Sequence, residues 1–253
     1  MSMPRLVAFD LDDTLAPSKG IIDARIADRL RDLLRVSQVA IISGGNEQQF
    51  RTQVIARLAD AEADELHRLH LLPTCGTRYL RFDGEGFATV YAHDLTDEEK
   101  RAAMEALREE AERLGLWEEQ TWGEVLEDRG SQITFSALGQ RAPNDVKHTW
   151  DPEGTKRESL RDAVAPRVPG LEVRSGGSTS IDVTRAGIDK AYGMRELAAH
   201  TGIELTDMLF YGDRLDVGGN DYPVRAIGVP SVAVTGWEDT ADKLDALLAT
   251  GAR

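Results

Sequence analysis

The chain has one cysteine, Cys75, and only six lysines among its 253 residues. A lone cysteine cannot close an internal disulfide, which fits a reducing, cytoplasmic setting. No run approaches the roughly 20 consecutive apolar residues that span a bilayer, so no membrane partner is expected. The start, Met1 to Arg5, leads straight into an apolar strand pattern without the layout of a signal peptide. Basic residues are in deficit, 30 against 44 acidic, for a net charge of −14. Such a chain repels polyanions, which argues against nucleic acid as a partner. A small anionic substrate needs a local cation or metal to offset its charge. The scarcity of lysine makes any lysine beside a motif informative. Repeats and low-complexity tracts are absent. With 41% hydrophobic and 29% charged residues, the composition is that of an ordinary globular protein with one large or two modest domains.

Leu6-Val7-Ala8-Phe9 is a short continuous apolar run, the signature of a strand buried on both faces. Ile26, Leu30, Leu33 and Leu34 then recur at helical spacing. Val39-Ala40-Ile41-Ile42 reads as a second buried strand, closed by Ser43-Gly44-Gly45 at the expected start of a helix. Strand, helix, strand in this order predicts a right-handed βαβ unit. Met208 to Tyr211 and Val232 to Val234 repeat the buried-strand signature.

The middle reads differently. Arg78 to Tyr91 forms a hairpin pattern turning at Asp83-Gly84-Glu85-Gly86. Thr96 and Glu99 make a capping box before a helix with apolar face Met104, Leu107, Ala111 and Leu114. A further helix is expected from Glu158 to Val164. Ile133 to Ser136, Leu171 to Arg174 and Ser180 to Val183 alternate as one-sided strands. The expected fold is α/β: a Rossmann-like parallel-sheet core, residues 1–92 and 188–253, interrupted at 93–187 by an α+β module of antiparallel sheet plus helices.

Asp10-Leu11-Asp12-Asp13-Thr14 follows the first strand, at the sheet edge where open α/β folds bind ligands. Two carboxylates at i and i+2 can turn toward one pocket. Asp10 is then a nucleophile toward phosphorus, and Asp12 an acid/base for the leaving oxygen. The plainer alternative is an acidic turn capping a helix. Ser43 and Gly44 offer a hydroxyl and backbone N–H groups to phosphate oxygens, although Ser-Gly-Gly is also a common loop. Lys190 can balance the charge on Asp10 and the transferring group; taken alone, it also reads as a solvated residue at a helix start. The loop Gly212 to Asp221 carries three aspartates and Asn220, oxygen donors suited to a hard cation. Asp213 is the candidate direct ligand with Asp10 and Asp12, while Asn220 and Asp221 orient waters or Lys190.

These four segments, in this order, resemble the haloacid dehalogenase superfamily, and the inserted module resembles its type IIB cap. Ser175 to Val183, Gly187-Ile188-Asp189-Lys190, Gly218-Gly219-Asn220-Asp221, and Glu127-Asp128-Arg129 followed by Phe135 to Gly139 resemble the eukaryotic-type phosphomannomutases. The resemblance implies Mg²⁺, a phosphorylated Asp10, and a hexose phosphate held by Arg129, Lys147, Ser180 and Asp182 of the cap. It also implies a hexose 1,6-bisphosphate activator if the enzyme is a mutase, and a homodimer formed through the cap. The chain departs from the family at Ser18 and Gln140, where arginines are expected. It has Lys147 in place of a third arginine, Ser43 in place of a glycine, and Thr74-Cys75-Gly76 in place of Glu-Asn-Gly. A phosphomannomutase-like enzyme is the preferred reading. A sugar-phosphate phosphatase is the second, and a non-catalytic sugar-phosphate-binding protein the third.

Overall fold

A computed structural model describes residues 3–251. The chain divides into two compact units, one running to Ala92 and resuming at Ile188, the other His93–Gly187. Among the described residues, no helix is long and apolar enough to cross a membrane.

The first unit begins with β1 (Leu6–Phe9), α1 (Ala24–Val36), β2 (Gln38–Ile42), α2 (Glu47–Gln53), α3 (Ala63–Leu66), β3 (Leu69–Leu72), β4 (Arg78–Phe82) and β5 (Phe87–Ala92). All four residues of β1 are buried, as a strand covered on both faces requires. In α1 the predicted stripe Ile26, Leu30, Leu33, Leu34 is buried, and Asp23 caps the helix by accepting from the Arg25 N–H. Each such side chain contributes about 1.5–3 kcal/mol through burial. The strand β3 has no counterpart in the sequence reading, because His70 interrupts its apolar run. The fold accommodates this imidazole by pairing both nitrogens, Nδ1 with Tyr79 Oη at 2.6 Å and Nε2 with Gln38 Oε1 at 2.7 Å.

The inserted unit comprises α4 (Asp97–Arg113), β6 (Leu126–Asp128), β7 (Gln132–Ser136), α5 (Asn144–Trp150), α6 (Thr155–Val164), β8 (Leu171–Ser175) and β9 (Ser180–Arg185). The capping box at α4 is formed in both directions, Glu99 N–H to Thr96 Oγ1 at 3.2 Å and Thr96 N–H to Glu99 Oε2 at 2.7 Å. Its sheet is antiparallel in the order β6-β7-β9-β8. Alternation sends Ile133, Phe135, Ile181 and Val183 into one core with Leu107, Ala111, Leu160 and Val164 of α4 and α6. The opposite face is polar. The register pairs Gln132 with Thr184, Thr134 with Asp182, and Ser136 with Ser180.

The first unit resumes with α7 (Lys190–Thr201), β10 (Met208–Gly212), α8 (Tyr222–Ala226), β11 (Ser231–Ala233) and α9 (Trp237–Gly251). Its sheet has the order β11-β10-β1-β2-β3-β4-β5. The pairs from β11 through β3 are parallel, and the β4–β5 hairpin adds antiparallel strands at one edge. The last parallel strand starts one residue earlier than the apolar run Val232 to Val234 suggests, because Phe210 of β10 pairs with Ser231. The chain moves outward from β1 through β2 and β3, then returns to the other side of β1 as β10. The strand order therefore reverses at β1, which makes its C-terminal end the crevice where such sheets bind ligands.

Candidate active site

Strand register alone gathers the first candidates. Phe9 pairs with both Ile41 and Tyr211, so Asp10, Ser43 and Asp213 all leave the sheet at the same edge, one or two residues beyond a paired strand end. Asp10 stays attached to the sheet through its N–H, which donates to the Tyr211 carbonyl at 2.9 Å.

Lys190 is the first residue of α7, whose N-cap, Asp189, accepts from the Tyr192 N–H. The lysine is only 2% exposed. Its Nζ lies 2.6 Å from Asp10 Oδ1 and 2.5 Å from Asp221 Oδ1. Asp221 is held from the other side as well, its Oδ2 accepting the Arg214 N–H at 3.0 Å. Only a glycine fits beneath it: a Cβ at Gly212 would sit 2.5 Å from Asp221 Oδ2 and 2.7 Å from Phe210. Of the two roles the sequence leaves to Asp221, its geometry is that of a partner for Lys190.

Asp10, Asp213 and Asp221 each offer an oxygen within 4.8 Å of the other two. Burial pushes the Asp10 carboxyl well above its usual range; Lys190 opposes that shift, while Asp221 and Asp213 add to it. Asp213 is raised by the same causes, burial first and then Asp221. Burial alone would lower the Lys190 ammonium, but its two carboxylate partners outweigh burial and raise it. Three carboxylates thus gather about one ammonium, which is in contact with Asp10 and Asp221, so acidic groups outnumber the cation they share. A hard divalent cation with oxygen ligands matches both that charge and that donor set.

Asp12 is half-buried and stands outside this cluster. Its Oδ1 accepts the Lys19 N–H at 2.6 Å, which fixes the carboxylate in the loop after β1. Thr14 connects that loop to the acidic one, its Oγ1 donating to Asp213 Oδ1 at 3.4 Å. Ser43 is buried, and its Oγ accepts the Gly45 N–H at 3.1 Å. The Ser43-Gly44 pair does not open a helix. Asn46 forms a capping box with Gln49, so α2 starts only at Glu47 and the pair lies in the loop before it. Gly44 is half-exposed, with open space beside its Cα.

In the inserted unit, Arg129, Ser180 and Asp182 share the polar sheet face. Arg129 faces Gln132, its N–H donating to that carbonyl at 2.9 Å. The Arg129 guanidinium grips Glu127 Oε2 through Nε at 2.9 Å and Nη2 at 2.8 Å, and reaches Gln140 Oε1 at 3.3 Å. Lys147, on α5, donates to the Gln140 carbonyl at 3.3 Å. Asp182 accepts from Thr134 Oγ1 at 2.7 Å. Sequence reasoning missed Thr134 and the use of Glu127 as a counter-ion; the alternation of Gln132, Thr134 and Ser136 was the available signal.

A family model described as eukaryotic phosphomannomutase matches residues 119–250, more than half of the chain. The phosphomannomutase of Saccharomyces cerevisiae is 27% identical over 233 residues, covering 88% of this chain and 87% of that protein. That of Encephalitozoon cuniculi is 26% identical over 251 residues, covering 95% and 92%. Among solved structures, a haloacid dehalogenase-like hydrolase from Bacteroides thetaiotaomicron superposes with a TM-score of 0.66 at 14% identity, covering 96% of this chain and 99% of that one. Plasmodium falciparum IMP-nucleotidase gives 0.71 at 15% identity, covering 98% and 67%. At such identities the solved structures speak for the fold alone. The sequence match carries the rest: the chain belongs to the eukaryotic phosphomannomutase family and is a phosphomannomutase-like enzyme.

Proposed function

We propose that the enzyme carries a phosphoryl group transiently on Asp10 and that its substrate is a hexose phosphate. The observation that carries this reading is the buried Lys190 held between Asp10 and Asp221, with Asp213 in reach. An Asp10 oxygen attacks phosphorus, the bond from phosphorus to the sugar oxygen breaks, and Asp12 supplies the proton that oxygen needs. Lys190 stays protonated throughout and offsets charge that builds on the transferring group. Ser43 and the Gly44 N–H hold the other phosphate oxygens. Mg²⁺, bound by carboxylates from the Asp10, Asp213 and Asp221 cluster, supplies neutralisation of the phosphate when present. In the second half a hydroxyl, deprotonated by Asp12, attacks the aspartyl-phosphate and frees Asp10.

That hydroxyl distinguishes two outcomes. A sugar hydroxyl gives a mutase, to which family membership points, and water gives a phosphatase. One observation favours the second: on the polar face that we assign to sugar recognition, two arginines are already ion-paired. Arg129 is paired with Glu127 at 2.8 Å and Arg174 with Glu172 at 2.7 Å. The roles of Arg129, Lys147, Ser180 and Asp182 in holding the sugar rest on their matching positions in the family pattern. Phosphorus NMR of mannose 1-phosphate with Mg²⁺, with and without glucose 1,6-bisphosphate, separates the readings. Isomerised sugar phosphate is expected when the bisphosphate is present. Free phosphate in both samples assigns hydrolysis instead, and no change in either removes this sugar as the substrate.

A further inference from the structure

After β3 the backbone does something the sequence pattern does not announce. Thr74, Cys75 and Gly76 all have positive φ, at 47°, 56° and 87°. Glycine adopts this region freely, but a β-branched threonine and a cysteine do so at a cost. Such residues persist only where their surroundings over-determine them, and they gather at functional sites.

The surroundings here are two segments of the active site. On one side, the Thr74 N–H donates to the Gly45 carbonyl and the Cys75 N–H to the Ser43 carbonyl, both at 2.9 Å. The turn thus holds the backbone of the Ser43–Gly45 loop at both ends. On the other side lies Gly193, one helical turn beyond Lys190. A Cβ added to Gly193 would sit 2.6 Å from the Cys75 carbonyl oxygen, and one added to Gly76 would collide with the Gly193 Cα. The turn is closed internally as well, with Thr77 Oγ1 donating to the Thr74 carbonyl at 2.8 Å and pairing with Thr74 Oγ1 at 2.7 Å. Tyr91 Oη donates to the Gly76 carbonyl at 2.8 Å.

We propose that Cys75 is a positioning residue: its left-handed conformation holds the Ser43–Gly45 loop and the Lys190 helix in fixed register, so that the phosphate-holding groups are set before substrate arrives. This inference rests on the reading of Ser43 and Gly44 as phosphate holders, and the test keeps the two apart.

Inorganic phosphate, as an inhibitor of aryl phosphate turnover with Mg²⁺, is the probe. Cys75→Val introduces a β-branched side chain that resists positive φ, whereas Cys75→Asn introduces one that tolerates it. Cys75→Val is expected to raise the phosphate Ki and the KM about 10-fold while kcat falls less than about threefold, and Cys75→Asn to stay within about twofold of the parent. Thr77→Val keeps the side-chain shape but removes the hydroxyl that ties Thr74. It is expected to raise the same Ki about threefold and supplies the reading should Cys75→Val not fold. Equal losses in Cys75→Asn and Cys75→Val would overturn the proposal, and so would an unchanged Ki in both folded Cys75→Val and Thr77→Val. An unchanged Ki in Ser43→Ala removes the phosphate-loop reading and this proposal with it. A raised Ki in Ser43→Ala alone, with the Cys75 and Thr77 variants unaffected, defeats only the positioning role.

Discussion

Replacing Lys190 by methionine keeps most of the side-chain volume and deletes one charge. In the parent that charge lies 2.6 Å from Asp10 and 2.5 Å from Asp221, in a site where the lysine is 2% exposed. Removing one member of a buried ion pair costs about 3–5 kcal/mol, because the partner is left uncompensated. For a chain of this size each kcal/mol lowers Tm by about 2–4 °C, so a fall of about 6–20 °C is expected by calorimetry without added metal. Turnover should fall about 100- to 1000-fold, the usual cost of deleting one preorganised electrostatic contact to a transition state. Mg²⁺ should raise the Tm of the variant by more than that of the parent, since the variant has one more uncompensated negative charge. A Tm within about 2 °C of the parent, together with turnover within about threefold, would refute the argument that this lysine balances the carboxylates.

Three further outcomes follow from other parts of the structure. Gly212→Ala places a Cβ 2.5 Å from Asp221 Oδ2 and must displace that carboxylate; kcat/KM should fall about 100-fold in steady-state assays, as for misplacements of about 1 Å. Arg129→Ala should raise KM for a hexose phosphate about 10- to 100-fold, the value of a charge-assisted pair. Its effect on a small aryl phosphate should be under about threefold, and equal effects would remove Arg129 from sugar recognition. His70 is held down at about 3, by burial first and then by Arg81. Its folded pKa lies below the unfolded value of about 6.5, so the unfolded chain binds the extra proton. The stability it contributes is present above pH 6.5 and is lost as pH falls toward 3. Urea titrations from pH 7 to 4 should show a shallower loss in His70→Gln, and an unchanged slope would contradict the assignment.

The parts of the molecule legible from sequence were those with a period or a fixed offset. The buried runs Leu6 to Phe9 and Val39 to Ile42, the α1 stripe and the Thr96–Glu99 box each reveal their structure locally. The strand β3 was hidden because His70 breaks its apolar run, and only tertiary partners on β2 and β4 make the histidine tolerable. The position of Ser43 relative to α2 was set by the Asn46 cap, a signal present in the sequence but outweighed by the glycines before it. In the acidic loop Asp221 proved to be the partner of Lys190 beside Asp10 and Asp213, because β1, β10 and α7 bring those side chains to one edge. The left-handed turn at Thr74 to Gly76 was hidden because a Thr-Cys pair does not favour positive φ, although the Asn-Gly expected there from the family resemblance does. Its conformation is imposed by the loop and helix on either side.

Where the phosphoryl group travels can be read most directly by peptide mapping of enzyme quenched in acid during turnover with Mg²⁺ and glucose 1,6-bisphosphate. A base-labile phosphoryl group on the peptide containing Asp10, absent from Asp10→Asn, is the expected result. Label on any other residue, or undiminished turnover in Asp10→Asn, would contradict it.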